Sequence, residues 1–297
     1  MRISAIIPNY NHAPFLEERI RSILAQTRRP DEIIFLDDAS TDDSLAVVST
    51  FDCFSKVIVN ETNSGMPFKQ WMKGIEAATG DCVWIAESDD SCEPRMLERL
   101  AESVEEGSVL AFCRSTEIGP EGNSLGIQRY QRAFFEDFTM DGPGFIRQYL
   151  APRNVIANAS SVLFSRKAAL AVDPSFTEFR GAGDILFWTG IAAQGNVSFV
   201  VDAMNLFRQH GANRTAEDAV SGRGLQESLR VYRELERRGW LSPLRFRRII
   251  ADNRYRLLYG FPDLPDAVRA EALQAWKQGP LVDLIVKVKR LKHLIWK

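Results

Sequence analysis

Strand-like and helix-like segments alternate over the first third of the chain. Short runs rich in Ile, Val and Phe are typical of buried strands, and each is followed by an amphipathic stretch with the period of a helix. The predicted strands are ISAII, EIIFLDD, KVIVN, CVWIA and SVLAFC. The predicted helices between them are PFLEERIRSILAQ, TDDSLAVVSTF, PFKQWMKGIEAATG and EPRMLERLAESVEEG. Because strands that alternate with helices pair in parallel and are covered on both faces, the pattern predicts an α/β fold with a mostly parallel sheet.

The pattern changes after Ser115. Residues 115–173 are irregular and rich in Gly, Pro and aromatic residues, and long connections of this kind often carry function. A helix is predicted at DILFWTGIAAQG, a strand with a turn at VSFVVDAMNLFRQH, and mainly helix from Ala216 to the end. These changes divide the chain into residues 1–114, 115–215 and 216–297.

Charge separates the last of these regions from the rest. The formal net charge of the whole chain is only −2, but from Arg223 onward the sequence has 17 Lys and Arg against 8 Asp and Glu. The remaining body is therefore acidic. An acidic body with a basic tail predicts a catalytic part joined to a segment that is attracted to an anionic partner.

The bulk composition is that of a soluble globular protein, with 45% apolar and 26% charged residues. No apolar run approaches ~18 residues and the chain opens directly on a strand pattern, so neither a membrane span nor a signal peptide is predicted. The four cysteines, at positions 53, 82, 92 and 113, show no CxxC spacing. They are predicted to be reduced thiols of a cytoplasmic protein rather than disulfide or zinc ligands.

Polar residues follow three of the predicted strands. The first strand ends in PNYN (Pro8 to Asn11), the second in DDAST (Asp37 to Thr41) and the fourth in ESDD (Glu87 to Asp90). Ligands of open parallel sheets bind at the carboxyl ends of the strands, so the three motifs are predicted to share one edge of the sheet. Neither GxGxxG nor GxxxxGK[ST] occurs in the sequence, which predicts that a nucleotide is not held by a phosphate-binding glycine loop.

These motifs resemble a known family. IIPNYNHAPFLEERIRSILAQT, DEIIFLDDASTDDS and NSGMPFKQWMKGIEAATGDCVWIAESDD are similar to the nucleotide-sugar half of family-2 glycosyltransferases, which have the GT-A, Rossmann-like fold. NASSVLFSRKAAL, GDILFW and LFRQHGANRT are similar to the acceptor half. The resemblance implies that residues 1–114 bind the nucleotide sugar, that residues 115–215 form the acceptor-binding and catalytic half of the same domain, and that residues 216–297 are a helical, basic extension.

The resemblance implies a metal site in ESDD. Asp89 and Asp90 occupy the last two places of the family's DXD-type motif, which binds the divalent ion that bridges the sugar diphosphate. A diphosphate needs a hard cation held by oxygen ligands, so Mn²⁺ or Mg²⁺ is the expected cofactor. Glu87 stands where the family often has Asp, and its role stays open. The alternative is that Asp90 or Ser91 only caps the helix that begins at Glu93–Pro94.

The motif DDAST matches the family's site for the nucleotide base. The resemblance implies that the Asp38 carboxylate accepts the ring N–H of uracil or thymine. It also implies that Pro8 and Tyr10 form the other wall of this site and that Asp89 contacts the nucleotide. The alternative is that Asp37 and Asp38 both cap the helix that follows them.

The motif GAGDILFW places Asp184 where the family keeps its catalytic base. Inverting transfer needs one base, which removes the proton of the acceptor hydroxyl as the hydroxyl oxygen attacks the anomeric carbon. The alternative is that Asp184 is only the N-cap of the helix ILFW.

The motif LFRQHGANRT also matches a motif of the family. The resemblance implies that His210 completes the metal or diphosphate site, and that Arg208, Asn213 and Arg214 contact phosphate. His12 and His293 have no comparable context. His12 follows PNYN and is expected to lie near the nucleotide without a chemical role.

The sequence therefore predicts a metal-assisted inverting glycosyltransferase that moves a sugar from a UDP- or dTDP-sugar to a hydroxyl of a glycan, lipid-linked glycans included. A sugar-phosphate nucleotidyltransferase has a similar sheet, but its first strand leads into a Gly-rich loop where this chain has PNYNHAP. A catalytically degenerate nucleotide-sugar-binding homologue is the other alternative, and the presence of Asp89, Asp90, Asp184 and His210 argues against it. Nucleic acid is not an expected partner, because no nucleic-acid-binding motif accompanies the Arg-rich tail.

The last segment, LVDLIVKVKRLKHLIWK (residues 281–297), predicts a basic amphipathic helix. Leu284, Val288, Leu291 and Ile295 fall on one helical stripe. Such a helix can lie on an anionic membrane surface, where lipid-linked acceptors are found, or it can pack on the body of the protein or on a second subunit of a homo-oligomer. The sequence predicts a cytoplasmic protein and leaves open whether it is peripheral on the inner face of the cytoplasmic membrane.

Overall fold

The structure is a computed structural model that describes residues 1–156, 158–210, 223–260, 264–277 and 279–295. Its strands are β1 Ile3–Asn9, β2 Glu32–Asp37, β3 Lys56–Val59, β4 Cys82–Ile85, β5 Ser91–Cys92, β6 Ser108–Ile118, β7 Ser124–Ile127, β8 Phe138–Asp141, β9 Val162–Ser165 and β10 Asn196–Arg208. Its helices are α1 Ala13–Leu24, α2 Ser44–Val48, α3 Pro67–Ala77, α4 Met96–Glu105, α5 Gly142–Phe145, α6 Ala151–Arg153, α7 Arg166–Leu170, α8 Asp184–Ala192, α9 Arg223–Arg237, α10 Pro243–Tyr259, α11 Asp266–Ala275 and α12 Gly279–Ile295.

The strands form one sheet. Its main order is β3-β2-β1-β4-β9-β6-β10-β5, with β7 added to β6 and β8 added to β10. Neighbours among β1 to β4 pair in parallel, as do β6 and β10, whereas β9 runs antiparallel between β4 and β6. The predicted α/β fold with flanking helices is therefore confirmed, and its second half adds antiparallel pairs that the sequence pattern did not predict.

Helices cover the central strands closely. β1 is buried along its whole length. On one face of the sheet Ile7 packs in a cluster with Leu16 of α1 and Leu100 of α4. On the other face α3 passes so near that a Cβ atom added at Gly74 would lie 2.4 Å from Cγ2 of Ile6. Because both faces are occupied, the ends of these strands are left as the place for a ligand.

The region predicted to be irregular contains more regular structure than its sequence indicates. β6 continues through residue 114 to Ile118, and β7, β8 and β9 all lie within residues 115–173. β9 is only four residues long, VLFS, and its register is set by β4 and β6 on either side. Partners this distant in the chain leave no local signal. In the first third of the chain α2 is shorter than predicted and ends at Val48.

The chain divides into two compact units. The first contains residues 1–180 and 187–210, and the second contains residues 181–186 and 211–297. The described part of the second unit after residue 222 is helical, which confirms the predicted helical extension. Its core is formed by Leu229, Phe246, Ile250, Ala251, Leu257, Leu264, Ala272, Trp276, Val282 and Val286. None of the described helices is both long enough and apolar enough to cross a bilayer.

Candidate active site

The acidic turn, Glu87 to Asp90, follows β4 and precedes β5. β4 pairs with β1, whereas β5 pairs with β10, which lies far along the chain. The N–H of Ala86 still donates to the carbonyl of Ile6 in β1 at 2.7 Å, and the N–H of Asp90 donates to the carbonyl of Glu87 at 3.2 Å, which closes the turn. β5 then pairs with β10, the strand that leads to His210. The three carboxylates of this turn, Glu87, Asp89 and Asp90, therefore have different neighbours.

Asp90 faces the protein interior and is only 1% exposed. Its Oδ1 accepts the backbone N–H of Arg208 at 2.9 Å, and its Oδ2 accepts the hydroxyl of Ser160 at 2.6 Å and the amide of Asn158. Burial, followed by the negative charge of Asp89, raises the pKa of Asp90 to about 7 against the lowering effect of the Ser160 hydrogen bond. Asp90 thus ties the turn to β10 and to the segment before β9.

Glu87 is held on the other side of the turn. Nε1 of Trp71 in α3 donates to its Oε1 at 2.8 Å, and its own N–H donates to the hydroxyl of Ser160 at 3.1 Å. Burial, followed by the charges of Asp89 and Asp90, raises the pKa of Glu87 to about 8. Glu87, whose role the sequence left open, therefore links α3 to the segment before β9, and the nearby carboxylates favour its protonated form.

Asp89 is the carboxylate of this turn that pairs with a histidine. Its side chain is 16% exposed, and its Oδ2 lies 3.0 Å from Nε2 of His210. Burial acts to raise the pKa of Asp89, but the hydrogen bond from His210 and the positive charges that His12 and His210 can carry outweigh it, so the pKa is lowered. An ionised carboxylate beside an imidazole nitrogen is a suitable site for a divalent cation.

A second imidazole lies beside this pair. One ligand atom each from His12, Asp89 and His210 lie within 4.8 Å of one another, the spacing of a metal site. The two imidazole rings are nearly perpendicular, with 5.6 Å between their centroids. The structure therefore brings together Asp89 and His210, adds His12, and turns Asp90 toward protein donors.

Arg208 braces the acidic turn and is only 2% exposed. Its Nε donates to the backbone carbonyl of Asp89 at 2.8 Å, and its Nη2 contacts Oε2 of Glu18 in α1 at 2.6 Å. The guanidinium predicted to contact phosphate is thus engaged by the protein itself. Asn213 and Arg214, the other two residues predicted to contact phosphate, lie outside the described residues.

The ends of β1 and β2 lie side by side at the same edge of the sheet. Asn9 pairs with Asp37, and the N–H of Asp38 donates to the carbonyl of Asn9 at 2.9 Å. Tyr10, the residue after β1, is 39% exposed. In this register Pro8 lies opposite Leu36, and Tyr10 and Asp38 are the residues that directly follow the paired ends of the two strands.

Asp38 also organises the loop between β3 and α3. Its Oδ1 accepts hydrogen bonds from Asn60 Nδ2 at 2.6 Å, Ser64 N at 2.9 Å and Gln70 Nε2 at 2.8 Å, and its Oδ2 accepts the Ser64 hydroxyl at 2.8 Å. The carboxylate of Asp38 thus accepts four hydrogen bonds from this loop and from α3, and the residue is 6% exposed. By contrast, Asp37 uses both oxygens on Ser40 and on Asn9 within the strand-end loops.

Two non-glycine residues in these loops adopt left-handed backbone conformations. Asn11 has a φ of 55° and Ala39 a φ of 61°. Such a conformation costs a non-glycine residue about 1–2 kcal/mol, and Ala39 has no polar side chain to offset that cost. The side chain of Asn11 accepts the N–H of Thr41 at 2.7 Å, which locks the two loops together. Strain of this kind is often found at binding sites.

Asp184 is the first residue of α8 and is half-buried. The segment before it is fixed within the second unit, where the N–H groups of Gly181 and Ala182 donate to Oε2 of Glu227 at 2.8 Å and 3.2 Å. A carboxylate in the first turn of a helix is stabilised in its ionised form by the helix dipole.

Sequence reasoning missed the residues that hold the carboxylates in place. Asn158 and Ser160 bind Asp90, and His12 joins the Asp89–His210 pair. The polar motif NASS directly before the apolar strand VLFS was the available signal, because buried polar groups next to a core strand need partners. His12 gave no such signal.

Comparison with solved structures identifies the fold. Staphylococcus aureus TarS in complex with UDP superposes with a TM-score of 0.68 at 21% identity, over 93% of this chain and 80% of that chain. The mannosyltransferase PcManGT from Pyrobaculum calidifontis in complex with GDP-Man and Mn²⁺ superposes with a TM-score of 0.57 at 20% identity, over 99% of this chain and 80% of that chain. The likeness shows that the predicted GT-A fold is correct.

Sequence comparison gives the family. The family model described as Glycosyl transferase family 2 matches residues 4–170, and the chain belongs to this family. An uncharacterized glycosyltransferase of Nostoc is 29% identical over 227 residues, which are 72% of this chain and 66% of that relative. The putative teichuronic acid biosynthesis glycosyltransferase TuaG of Bacillus subtilis is 24% identical over 240 residues, which are 79% of this chain and 88% of that relative. The family predicted from the motifs is confirmed.

Replacing Asp90 with Ala is expected to destabilise the fold more than replacing Asp89 with Ala. Asp90→Ala leaves three buried donors without an acceptor, and each such group costs about 1–3 kcal/mol. Asp89→Ala removes a partly exposed group and its repulsion of Asp90. Urea titration in a chelating buffer should show a loss of at least ~2 kcal/mol in the free energy of unfolding for Asp90→Ala and less than ~1 kcal/mol for Asp89→Ala. Equal losses would contradict this division of roles.

Proposed function

We propose that the protein is an inverting glycosyltransferase that transfers a sugar from a UDP- or dTDP-sugar to a hydroxyl of a glycan. The observation that carries this proposal is the Asp89–His210 pair, which lies at the carboxyl end of β4 while Asp38 follows β2 in the same sheet. A cation site and a base-binding site at one sheet edge match the two ends of a nucleoside diphosphate. Membership of glycosyl transferase family 2 supports the reaction class.

A divalent ion, Mn²⁺ or Mg²⁺, is proposed at the Asp89–His210 pair. The residues fit such an ion, because an ionised carboxylate oxygen and an imidazole nitrogen stand 3.0 Å apart and Arg208 fixes the backbone of Asp89. When bound, the ion would neutralise the diphosphate and stabilise it as a leaving group. Asp90, predicted from the sequence as a further ligand, is given a supporting role in this proposal because both of its oxygens accept hydrogen bonds from the protein.

The proposed base-binding role of Asp38 rests on its place at the carboxyl end of β2, beside the end of β1 that leads to Tyr10. Oδ2 accepts the ring N–H of uracil or thymine, while Oδ1 holds the 60–70 loop in place. Pro8 and the exposed ring of Tyr10 form the other wall. Among the solved structures of this fold, TarS was determined with UDP and PcManGT with GDP-Man, so the proposed choice of a uridine nucleotide rests on Asp38.

Asp184 is proposed to be the general base. Its carboxylate takes the proton of the acceptor hydroxyl as the hydroxyl oxygen attacks the anomeric carbon from the side opposite the diphosphate. The new C–O bond forms as the bond to the diphosphate breaks, and the electron pair of the broken bond leaves with the diphosphate. Attack from the opposite side inverts the anomeric configuration.

A glycan is the proposed acceptor. The similar protein TuaG is named for teichuronic acid biosynthesis, and teichuronic acid is a polysaccharide. Polysaccharide biosynthesis is therefore the proposed setting. A nucleotidyltransferase is disfavoured because β1 leads into PNYNHAP, and a degenerate homologue is disfavoured because the ionisable groups of the site are all present.

UDP is expected to bind more tightly than CDP or GDP. Uracil presents a ring N–H where cytosine presents a lone pair, and a lone pair that faces the Asp38 carboxylate costs about 1–3 kcal/mol, or roughly tenfold in affinity or more. Titration calorimetry with the three nucleotides in the presence of Mn²⁺ measures the preference. Asp38→Asn is the matched variant, and its preference for UDP should shrink because an amide can also donate to cytosine. Equal affinities for the unmodified protein would remove the base-binding role of Asp38.

Asp184→Asn is expected to slow turnover by about 10²–10⁴-fold, because the amide cannot accept a proton at neutral pH. Donor binding should stay unchanged, since the role of Asp184 concerns the acceptor. The rate is measured as nucleotide release with a panel of nucleotide sugars and glycan acceptors. Asp202→Asn, which changes an exposed carboxylate on β10, serves as the control. Near-normal turnover of Asp184→Asn would leave Asp184 a structural role only.

Attachment to an anionic membrane surface through α12 is the second part of the proposal. Leu284, Val288 and Leu291 are 56%, 44% and 58% exposed, whereas Val282 and Val286 on another face of the helix are buried in the core of the second unit. The core of the second unit therefore does not bury the side chains of Leu284, Val288 and Leu291. The side chain of Ile295 and residues 296–297 lie outside the described residues.

Charge around this exposed stripe favours an anionic surface. Lys287 and Arg290 are exposed on the same helix, while Lys289 pairs with Asp252 of α10. An amphipathic helix with exposed apolar side chains and flanking cations binds anionic lipid by both the hydrophobic effect and charge. A peripheral enzyme would meet lipid-linked glycans there.

Replacing Leu284 and Leu291 together with Glu is expected to abolish vesicle binding. These exposed positions leave the core contacts of Val282 and Val286 in place, so the fold should be kept. The unmodified protein should sediment with vesicles of phosphatidylcholine and phosphatidylglycerol at low salt and not with phosphatidylcholine alone. Leu125→Glu, at an exposed leucine of β7, should behave like the unmodified protein. Failure of the unmodified protein to sediment would overturn the membrane proposal, and dimerisation lost in the double variant would assign the stripe to a second subunit.

A further inference from the structure

His12 lies in the candidate metal site, although its sequence context predicted only a place near the nucleotide and no chemical role. We propose that His12 is a third protein ligand of the metal, beside Asp89 and His210, and that this set of two imidazoles and one carboxylate selects a first-row transition ion such as Mn²⁺ over Mg²⁺. The inference rests on the proposed function, whose metal site it specifies.

The spacing of the three groups is close to that of bound ligands. Their candidate donor atoms lie within 4.8 Å of one another. Two donors on opposite sides of one ion are at most ~4.4 Å apart, twice a bond length of ~2.2 Å. Side-chain shifts of a few tenths of an ångström therefore suffice to bring all three groups onto one ion.

The imidazole of His12 is already oriented by a hydrogen bond behind it. Its Nδ1 lies 2.8 Å from the hydroxyl of Ser88, the residue next to Asp89 in the acidic turn. Ser88 is 1% exposed, so this contact is fixed by the core. With Nδ1 donating to that hydroxyl, Nε2 carries the lone pair that a metal requires. Ligand histidines generally have their second nitrogen bonded in this manner.

The two imidazoles are also held by a shared aromatic neighbour. The ring of Phe15 in α1 lies 5.0 Å from that of His210 and 6.1 Å from that of His12. The guanidinium of Arg208 lies over the Phe15 ring at 5.1 Å. The carbonyl of His12 accepts the N–H of Phe15 at 3.0 Å, which fixes the backbone at the start of α1. The arrangement is thus built from α1, the acidic turn and the end of β10.

The donor types determine which ion such a site prefers. Mg²⁺ prefers oxygen ligands in a strict octahedron and gives up its waters reluctantly, whereas imidazole nitrogen suits first-row transition ions. A set of two imidazole nitrogens and one carboxylate therefore favours Mn²⁺ and the heavier first-row transition ions over Mg²⁺. The diphosphate oxygens and water would complete the coordination. With Asp89 and His210 alone, the preference for a transition ion would be weaker.

The test is Mn²⁺ and Mg²⁺ binding to the full chain by titration calorimetry, with and without UDP. His12→Gln should weaken Mn²⁺ binding at least about tenfold, since even the loss of a supporting hydrogen bond typically costs 10–100-fold. It should leave Mg²⁺ binding nearly unchanged. His293→Gln, which alters the third histidine of the chain, is the matched control and should bind Mn²⁺ like the unmodified protein.

Pulsed electron paramagnetic resonance counts the imidazoles bound to Mn²⁺. The count for the unmodified protein is a second readout that does not depend on whether the variant folds. The unmodified protein should show couplings to nitrogens of two imidazoles, and His12→Gln should show one. Coupling to a single imidazole in the unmodified protein, or unchanged Mn²⁺ affinity in His12→Gln, would overturn the role of His12 and leave the proposed function standing. If the unmodified protein binds Mg²⁺ but no Mn²⁺ with UDP, the proposal for His12 is wrong and the metal-assisted mechanism stands. If it binds neither ion even with UDP, both are wrong.

Discussion

The buried carboxylate of Asp90 is the interaction on which the candidate site depends. It joins the turn after β4 to the backbone of Arg208 in β10 and to Ser160 before β9. Arg208 returns the contact by donating from its side chain to the carbonyl of Asp89. Through this exchange Asp89 and His210, 121 residues apart in the chain, come within hydrogen-bonding distance. The chemistry of the site is therefore supported by a carboxylate that itself faces inward.

Three carboxylates in one short turn cannot all be ionised at little cost, and the structure separates their roles by environment. Burial and mutual repulsion raise the pKa values of Glu87 and Asp90 to about 8 and about 7, while the imidazoles beside Asp89 lower its pKa. Asp89 is thus the carboxylate of this turn that ionises most readily, and it lies beside two imidazoles. This separation agrees with the proposed divalent ion, which would share the site with a diphosphate.

Helix α12 of the second unit has one buried face and one exposed face. Val282 and Val286 of α12 complete a small core, while Leu284, Val288 and Leu291 stay exposed beside Lys287 and Arg290. A row of exposed apolar residues is unfavourable in water unless another surface covers it. The excess of basic residues in the tail and this exposed stripe both agree with the proposed binding to an anionic lipid surface.

The sequence by itself determined the alternation of strands and helices, the polar ends of β1, β2 and β4, and membership of the family, because these are written in local periodicity and in motifs of adjacent residues. Only the tertiary structure decided that β9 enters between β4 and β6, that Asp90 faces inward while Asp89 pairs with His210, and that His12 joins them. A side chain in a turn points toward whichever partners the rest of the fold supplies. For the acidic turn those partners come from residues 12, 158–160 and 208–210, and no local pattern records contacts between positions so far apart.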